Sequence, residues 1–151
     1  LRALHVHLLA RRVFQQFGRP VHLHLRLLAR VLSRLPPWAQ AAAFEAAQIG
    51  RPCGDVDAAA RAILEAHGLG PDYQLPGLPH PTGHGIGLEI HEGPYLVRGD
   101  ETPLASGMCF SNEPMIVIPG HYGIRLEDHF YMTDTGARWF TEPQKSLYQP
   151  L

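Results

Sequence analysis

Three histidines in the middle third of the chain are the first residues whose grouping suggests chemistry. His80, His84 and His91 occur in the stretch HPTGHGIGLEIHE, at intervals of four and seven residues. Glycines on both sides of His84 would let the backbone approach whatever that side chain binds, because glycine has no side chain. A group of histidines is also common on a polar surface, so the choice between a binding site and a solvated face depends on other residues.

Two glutamates supply the further observation. Glu113 in FSNEP lies between Phe110 and the apolar run 115–118, so we expect it to be largely buried. A buried carboxylate is costly unless it is paired or binds a metal. In GIRLEDHFYM, Arg125 and Glu127 share one face of a predicted strand, and we expect both to point inward. The pair indicates either part of a site or a buried ion pair without a catalytic role.

The chain before these motifs contains helical patterns. Residues 21–27 alternate apolar and polar side chains as a half-buried strand does, whereas residues 27–35 show an apolar helical stripe, and the two interpretations compete. Pro36 and Pro37 are expected to interrupt any such helix. The sequence AQAAAFEAAQ at residues 39–48 consists of strong helix formers and predicts a helix.

A second helix is predicted over AAARAILEAHG at residues 58–68, which completes a helical hairpin. Asp55 or Asp57 can cap its N-terminus, and Gly68 should end it. The side chains expected to be buried are Val56, Ala60, Ile63 and Leu64.

Short strands are predicted beyond a proline- and glycine-rich loop at residues 69–81. The runs between turn residues, all expected to be antiparallel strands, are IGLEIHE, PYLV, MCFSNEPMIVI, YGIRLEDHFYMT and ARWF. A helical hairpin followed by such strands is an α+β arrangement, with helices covering one face of a curved sheet. We expect one sheet face to lack helices and to favour self-association.

Composition limits the function classes. The 151 residues are 45% hydrophobic and 18% charged, with a net charge of -1, which fits one globular domain or part of one. Cys53 and Cys109 form neither a disulfide framework nor a cysteine metal site, so we expect a reducing, cytoplasmic compartment. No run approaches the about 20 apolar residues of a membrane span. The chain begins at Leu1 rather than Met, which suggests a fragment.

The N-terminal segment differs from the rest of the chain. Residues 1–40 contain seven arginines and four histidines but no acid, while all fourteen acids lie from Glu45 onward. A transit peptide, a nucleic-acid arm or a membrane-surface helix could be basic, yet a transit peptide would be rich in serine and this segment has only Ser33, and a nucleic-acid arm would usually contain lysine and this segment has none. An alternative hypothesis is out-of-frame translation that rejoins the frame near Trp38, which sequencing of the upstream DNA would test.

Taken in order, HPTGHGIGLEIHE, SNEP and GIRLED followed by MTDTGARWFT resemble the C-terminal half of the pita-bread metallopeptidases, which include methionine aminopeptidase, aminopeptidase P and prolidase. The resemblance is strongest to the Xaa-Pro branch and covers about residues 39–143. It implies a partial pita-bread catalytic domain at residues 39–151, preceded by a basic segment at residues 1–38 that does not match the family.

The resemblance implies a metal centre. His84 corresponds to the histidine ligand of a dinuclear site, Glu113 to a glutamate that binds one ion and helps to activate the bridging water, and Glu127 to a carboxylate that bridges both ions. The cofactor would be two divalent ions of Mn, Co, Zn or Fe. Two such ions lower the pKa of a shared water and polarise the scissile carbonyl.

The resemblance also implies catalytic residues and partners. Besides Glu113, these are His80 and His91, which correspond to histidines that contact substrate and stabilise the tetrahedral intermediate, and Arg125, which corresponds to an arginine that orients His91. The expected partners are a peptide with proline next to the scissile bond and a second copy of the chain in a homodimer. Neither a nucleic acid nor a membrane is expected.

The sequence departs from the family in one respect. The family site needs two aspartates upstream of the helix at residues 39–48, but Asp55 and Asp57 come after it. One histidine and two glutamates would hold two cations loosely, unless His5, His7, His22 or His24 contributes. We therefore expect a peptidase of the Xaa-Pro type with impaired hydrolysis. The alternatives are an inactive pita-bread binding module and a metal-free hydrolase of the creatinase kind.

Overall fold

The computed structural model describes residues 35–143, and the competing N-terminal strand and helix patterns therefore lie outside the described part, apart from Leu35. In this part the chain forms two helices followed by seven strands: α1 (Leu35–Ala46), α2 (Cys53–Glu65), β1 (Gly83–Gly85), β2 (Glu92–Leu96), β3 (Cys109–Asn112), β4 (Met115–Ile118), β5 (Tyr122–Arg125), β6 (Asp128–Thr133) and β7 (Gly136–Trp139). The predicted helical hairpin and loop at residues 69–81 are confirmed.

The strands form two antiparallel ladders. Five of them make a sheet in the order β2-β1-β3-β6-β7, and β4 and β5 pair in a separate ribbon. Val117 of β4 also forms an isolated antiparallel bridge with Gly77. The β3–β6 ladder ends at the pair Asn112↔Asp128, and the ribbon begins at Met115↔Arg125. The chain crosses between the two ladders at residues 113–114 and again at residues 126–127. We call this crossing the ladder junction, and both predicted glutamates lie in it.

The helices cover the sheet through aromatic and alanine contacts. Phe44 of α1 stacks on Trp139 with ring centroids 4.1 Å apart and meets the edge of Phe130 at 5.8 Å. Small residues on α1 bring the two helices close together, and the fully buried ones among them are Ala39 and Ala43. This packing is the expected α+β arrangement.

The start of α1 differs from the expectation. Pro36 and Pro37 do not interrupt a helix but lie inside its first turn, after Leu35. Backbone N–H groups in the first turn of a helix have no intrahelical acceptor, so the missing N–H of proline costs nothing there. The prolines therefore begin the helix.

The start of α2 is also different. The helix begins at Cys53 after Pro52, and no side chain caps it, so the prediction that Asp55 or Asp57 caps this helix is wrong. Asp55 instead pairs with Arg51 in the first turn, and Asp57 is buried within the helix. Of the four side chains expected in the core, Val56, Ala60 and Leu64 are buried, and Ile63 is only partly buried.

The strand boundaries follow the prediction except in three places. The run IGLEIHE is not a strand: residues 86–91 form an irregular loop between β1 and β2, and Leu88 and Ile90 are exposed. The two longest runs are each divided, the first after Asn112 and the second after Arg125. Pro114 has no N–H to donate to a ladder, which explains the first division. Within residues 35–143, no helix has the length and apolar character that crossing a bilayer requires.

Candidate active site

A buried histidine and a buried glutamate meet between β1 and the ladder junction. The Nε2 atom of His84 lies 3.1 Å from Oε1 of Glu113, and each side chain is 9% exposed. The expected burial of Glu113 is confirmed. Its position follows from the local sequence, because Asn112 is the last residue of β3 and Pro114 prevents the ladder from continuing.

The orientation of the His84 ring is set by its other nitrogen. Nδ1 lies 3.0 Å from the carbonyl oxygen of Gly85. A carbonyl can only accept, so Nδ1 carries the proton and Nε2 faces Glu113 either as a second N–H donor or across a shared cation. A histidine whose second nitrogen donates to a backbone carbonyl is oriented as metal-binding histidines are.

Ser111 connects these two residues. Its hydroxyl accepts a hydrogen bond from the backbone N–H of His84 at 3.0 Å and donates one to Oε1 of Glu113 at 3.2 Å. Close approach of the strands makes this possible: a Cβ atom on Gly83 would lie 2.0 Å from the carbonyl oxygen of Ser111. Glycine at position 83 is therefore a packing requirement of the site.

Arg125 bridges the two carboxylates. Its Nη1 lies 2.9 Å from Oε2 of Glu113, and its Nη2 lies 2.8 Å from Oε2 of Glu127. The arginine side chain is 45% exposed and that of Glu127 is 34% exposed, so the expectation of an inward arginine beside an inward glutamate is wrong. His129 approaches the other oxygen of Glu127 at 3.7 Å.

The two remaining histidines flank this cluster differently. The ring of His91 lies against that of His84, with centroids 4.2 Å apart, and its side chain is exposed. The contacts of Arg125 go to carboxylates, so its expected role in orienting His91 stays a prediction. His80 is tied through Nδ1 to the carbonyl oxygen of Pro81 at 2.6 Å, whereas its buried Nε2 has no hydrogen-bond partner within the described part of the chain.

A buried ion pair that sequence analysis missed holds the backbone around His80. Arg61 donates from Nε to Oδ2 of Asp57 at 2.7 Å and from Nη2 to the carbonyl oxygen of His80 at 2.8 Å. Asp57 accepts from both the backbone N–H and the hydroxyl of Thr82, at 3.0 and 2.7 Å. The sequence feature that could have predicted this pair is the i, i+4 spacing of Asp57 and Arg61, next to the apolar positions of the same helix.

Gln40 is a second residue that sequence analysis missed. Its side-chain Nε2 donates to the carbonyl oxygen of Asn112 and to Oδ2 of Asp128, both at 3.0 Å. These acceptors directly precede Glu113 and directly follow Glu127 in the chain. Gln40 therefore connects α1 to both sides of the ladder junction.

The described residues do not form a complete site for two divalent ions. Every acid of the chain lies between Glu45 and Glu142, hence inside residues 35–143. In that range no group of three or more histidine, cysteine, aspartate or glutamate side chains could hold a metal ion. Glu127 reaches the His84–Glu113 contact only through Arg125. The assignment of His84, Glu113 and Glu127 as ligands stays a prediction.

Comparisons with known proteins identify the family. The sequence model of metallopeptidase family M24 matches residues 11–134, and the chain belongs to this family. The match begins upstream of residue 39, within the basic segment, while the expected boundary at residue 38 stays a prediction.

Curated relatives of the chain carry dipeptidase names. The chain is 43% identical to the Xaa-Pro dipeptidase of Lactobacillus delbrueckii subsp. lactis, over 72% of this chain and 28% of that protein. It is 50% identical to the probable dipeptidase PepE of Mycobacterium bovis, over 66% of this chain and 25% of that protein. The chain thus spans about a quarter of the length of these curated relatives.

The solved structures confirm the fold. The prolidase from Pyrococcus furiosus superposes with a TM-score of 0.69 at 40% identity, covering 77% of this chain and 33% of that one. The predicted pita-bread α+β fold, present in part, is therefore correct, as is the predicted resemblance to the Xaa-Pro branch of the family.

Proposed function

We propose that this chain is part of a peptidase of the Xaa-Pro type, which hydrolyses a peptide bond next to proline. The observation that carries the proposal is the buried contact between His84 and Glu113, in which the ring is oriented by the Gly85 carbonyl. The names of the relatives, Xaa-Pro dipeptidase and prolidase, support the choice of substrate.

The other residues of the cluster have roles that fit a bound peptide. His91 is exposed beside His84 and can reach a ligand in front of the sheet. The Nε2 atom of His80, which has no hydrogen-bond partner among residues 35–143, can exchange a hydrogen bond with a substrate carbonyl or amide. Arg125 fixes the separation of the Glu113 and Glu127 carboxylates by contacting both.

We further propose that hydrolysis is impaired in this chain. Family membership implies the use of divalent metal. One imidazole and two carboxylates supply less negative charge than two divalent ions need, and no other described acid joins them. Manganese is the first metal to test. The same observation favours a second candidate function, a pita-bread binding module without catalysis. A metal-free hydrolase is the third candidate.

We further propose that the protein is a cytoplasmic homodimer. The two cysteines are free thiols, which supports a cytoplasmic protein. The resemblance to prolidases supports a homodimer, and sedimentation of the purified chain would test this.

A peptidase assay separates the three functions. The purified chain would be incubated with Gly-Pro and with an Xaa-Pro-Xaa peptide, with and without Mn²⁺. We expect weak turnover that requires Mn²⁺ and is abolished in His84→Ala but not in His67→Ala, a matched change at an exposed histidine after α2. Turnover without metal would favour the creatinase kind of hydrolase. A folded protein that is inactive under both conditions would favour the binding module.

A further inference from the structure

We propose that the guanidinium of Arg125 supplies the positive charge between Glu113 and Glu127, and that the site consequently holds at most one divalent cation, bound by His84 and Glu113 in competition with Arg125. The proposal rests on the proposed function only for the location of the site. It concerns occupancy, which can be measured whether or not the chain hydrolyses peptides.

Arg125 contacts the carboxylates of Glu113 and Glu127 in the way that a cation bridging them would. Its two terminal nitrogens contact one carboxylate each, at 2.9 Å for Glu113 and 2.8 Å for Glu127. In both glutamates the atom contacted is Oε2. A metal ion that bridged these two oxygens would have to displace the guanidinium, because both occupy the same acceptors.

The charges in the ladder junction favour low occupancy. Two carboxylates carry -2 and the guanidinium carries +1, so the sum without metal is -1. One divalent ion changes this sum to +1, and two would change it to +3. Glu113 is 9% exposed, and an uncompensated charge of that size next to a buried group is strongly unfavourable.

The remaining acids do not compensate. The two aspartates nearest in sequence to the helix at residues 39–48 are engaged on α2, Asp55 with Arg51 and Asp57 with Arg61. All other acids also lie within the described residues, where no third acid or histidine completes a metal-binding group.

One cation remains compatible with the geometry. The 3.1 Å between Nε2 of His84 and Oε1 of Glu113 is close to the separation of about 3.0 Å for two adjacent ligands at right angles, each about 2.1 Å from an ion. Neither of these two atoms is contacted by Arg125. The guanidinium and this cation would nevertheless share the Glu113 carboxylate and repel each other.

Binding of Mn²⁺ to the full chain tests the proposal. Wild type, Arg125→Gln and Arg138→Gln would be compared by equilibrium dialysis and electron paramagnetic resonance. Arg138 is the control, since it is an exposed arginine on the edge strand β7 and its replacement changes the net charge equally. We expect no more than one Mn²⁺ per wild-type chain, and affinity at least about tenfold higher in Arg125→Gln, which is the lower end of the usual effect of a change around a metal ligand. Arg138→Gln should bind as wild type does.

The direction of the change in Mn²⁺ affinity distinguishes an Arg125 that competes with the cation from one that supports its ligands. If Arg125 only supported the ligands, its removal would lower the affinity about 10- to 100-fold. Two Mn²⁺ ions per wild-type chain, or an Arg125→Gln variant that binds Mn²⁺ equally or more weakly, would overturn the proposal. Circular dichroism verifies that the variant folds. If Arg125→Gln does not fold, the number of Mn²⁺ ions bound per wild-type chain tests the proposal. Arg125→Lys keeps the positive charge and should retain the wild-type affinity for Mn²⁺. An absence of peptidase activity would not affect any of these results.

Discussion

Asp57 and Arg61 form a buried ion pair one helical turn apart on α2, with 2.7 Å between Oδ2 and Nε and with side chains that are 0% and 4% exposed. The neighbouring pair Arg51 and Asp55 has the same spacing and a similar distance of 2.6 Å, but its side chains are 62% and 36% exposed. The two pairs thus share a spacing and a distance but differ in burial. Only the buried pair also contacts the backbone of the His80 loop.

The first prediction compares these pairs. Arg61→Met should lower the free energy of unfolding by about 3–5 kcal/mol, because it leaves Asp57 buried without its counter-charge. Arg51→Met should lower it by at most about 0.5 kcal/mol, since solvent screens the exposed pair. Urea unfolding followed by circular dichroism measures both. Equal losses in the two variants would show that burial does not set the strength of the pair.

The second prediction concerns the hydroxyl of Ser111. Ser111→Ala should lower the free energy of unfolding by about 1–3 kcal/mol, because the buried N–H of His84 loses its acceptor and Glu113 loses a donor. Ser106→Ala is the control, as Ser106 is exposed. Chemical denaturation of both variants is the measurement. A Ser111→Ala variant as stable as Ser106→Ala would contradict the hydrogen bonds described here.

The third prediction concerns the close approach of β1 and β3. Gly83→Ala should destabilise the chain by at least about 1–3 kcal/mol, because its Cβ would lie 2.0 Å from a backbone oxygen that cannot move freely. At Gly123 a Cβ would lie 3.5 Å from the flexible end of Met115, so Gly123→Ala should have little effect. Thermal unfolding compares the two. Tolerance of alanine at both positions would refute the tight strand contact.

The fourth prediction uses the pH dependence of stability. Burial, with the nearby Asp100 carboxylate, raises the pKa of Cys53 from 9.0 to about 11. The thiol therefore ionises more easily in the unfolded chain than in the folded one. Its contribution to the free energy of unfolding is complete below the pKa of the unfolded chain and is lost as the pH rises through the pKa of the folded chain. Urea unfolding at about pH 8 and about pH 10 should show a smaller alkaline loss in Cys53→Ala than in wild type.

Two further observations control this experiment. Burial also raises the pKa of Tyr122, so part of the alkaline loss should remain in Cys53→Ala. Cys109→Ala, which removes the other free thiol, is the matched control for the loss of a side-chain sulfur. An unchanged alkaline loss in Cys53→Ala would show that Cys53 does not titrate differently on folding.

Local sequence was sufficient for several features of the site. The run of apolar residues around Glu113 predicted its burial, and the helix formers of residues 39–48 predicted α1. The spacing of Arg125 and Glu127 was compatible with an ion pair, which the structure shows at 2.8 Å, although the expected burial of the pair is wrong. These features depend on neighbours in the chain, which is why periodicity and propensity could identify them.

Other features depend on contacts that are distant in sequence. Asp57 looked like a helix cap because the groups that donate hydrogen bonds to it, the N–H and hydroxyl of Thr82, lie 25 residues away and cannot be seen in a helical pattern. The two hydrogen-bond acceptors of the Gln40 side chain lie 72 and 88 positions further along the chain. The run at residues 86–92 suggested a strand, but residues 86–91 form an irregular loop and only Glu92 belongs to β2. Tertiary contacts override local preference in each case.

The pairing of β4 with β5 has a consequence for the charge of the ladder junction. Because side chains alternate along a strand, shifting this pairing by one residue would turn Arg125 to the opposite face and leave both carboxylates without their guanidinium. The pairing is set by the three-residue turn at 119–121, where Gly120 has a φ of 74°. Inserting or deleting one residue there would remove the guanidinium from between Glu113 and Glu127 without changing any side chain of the ladder junction.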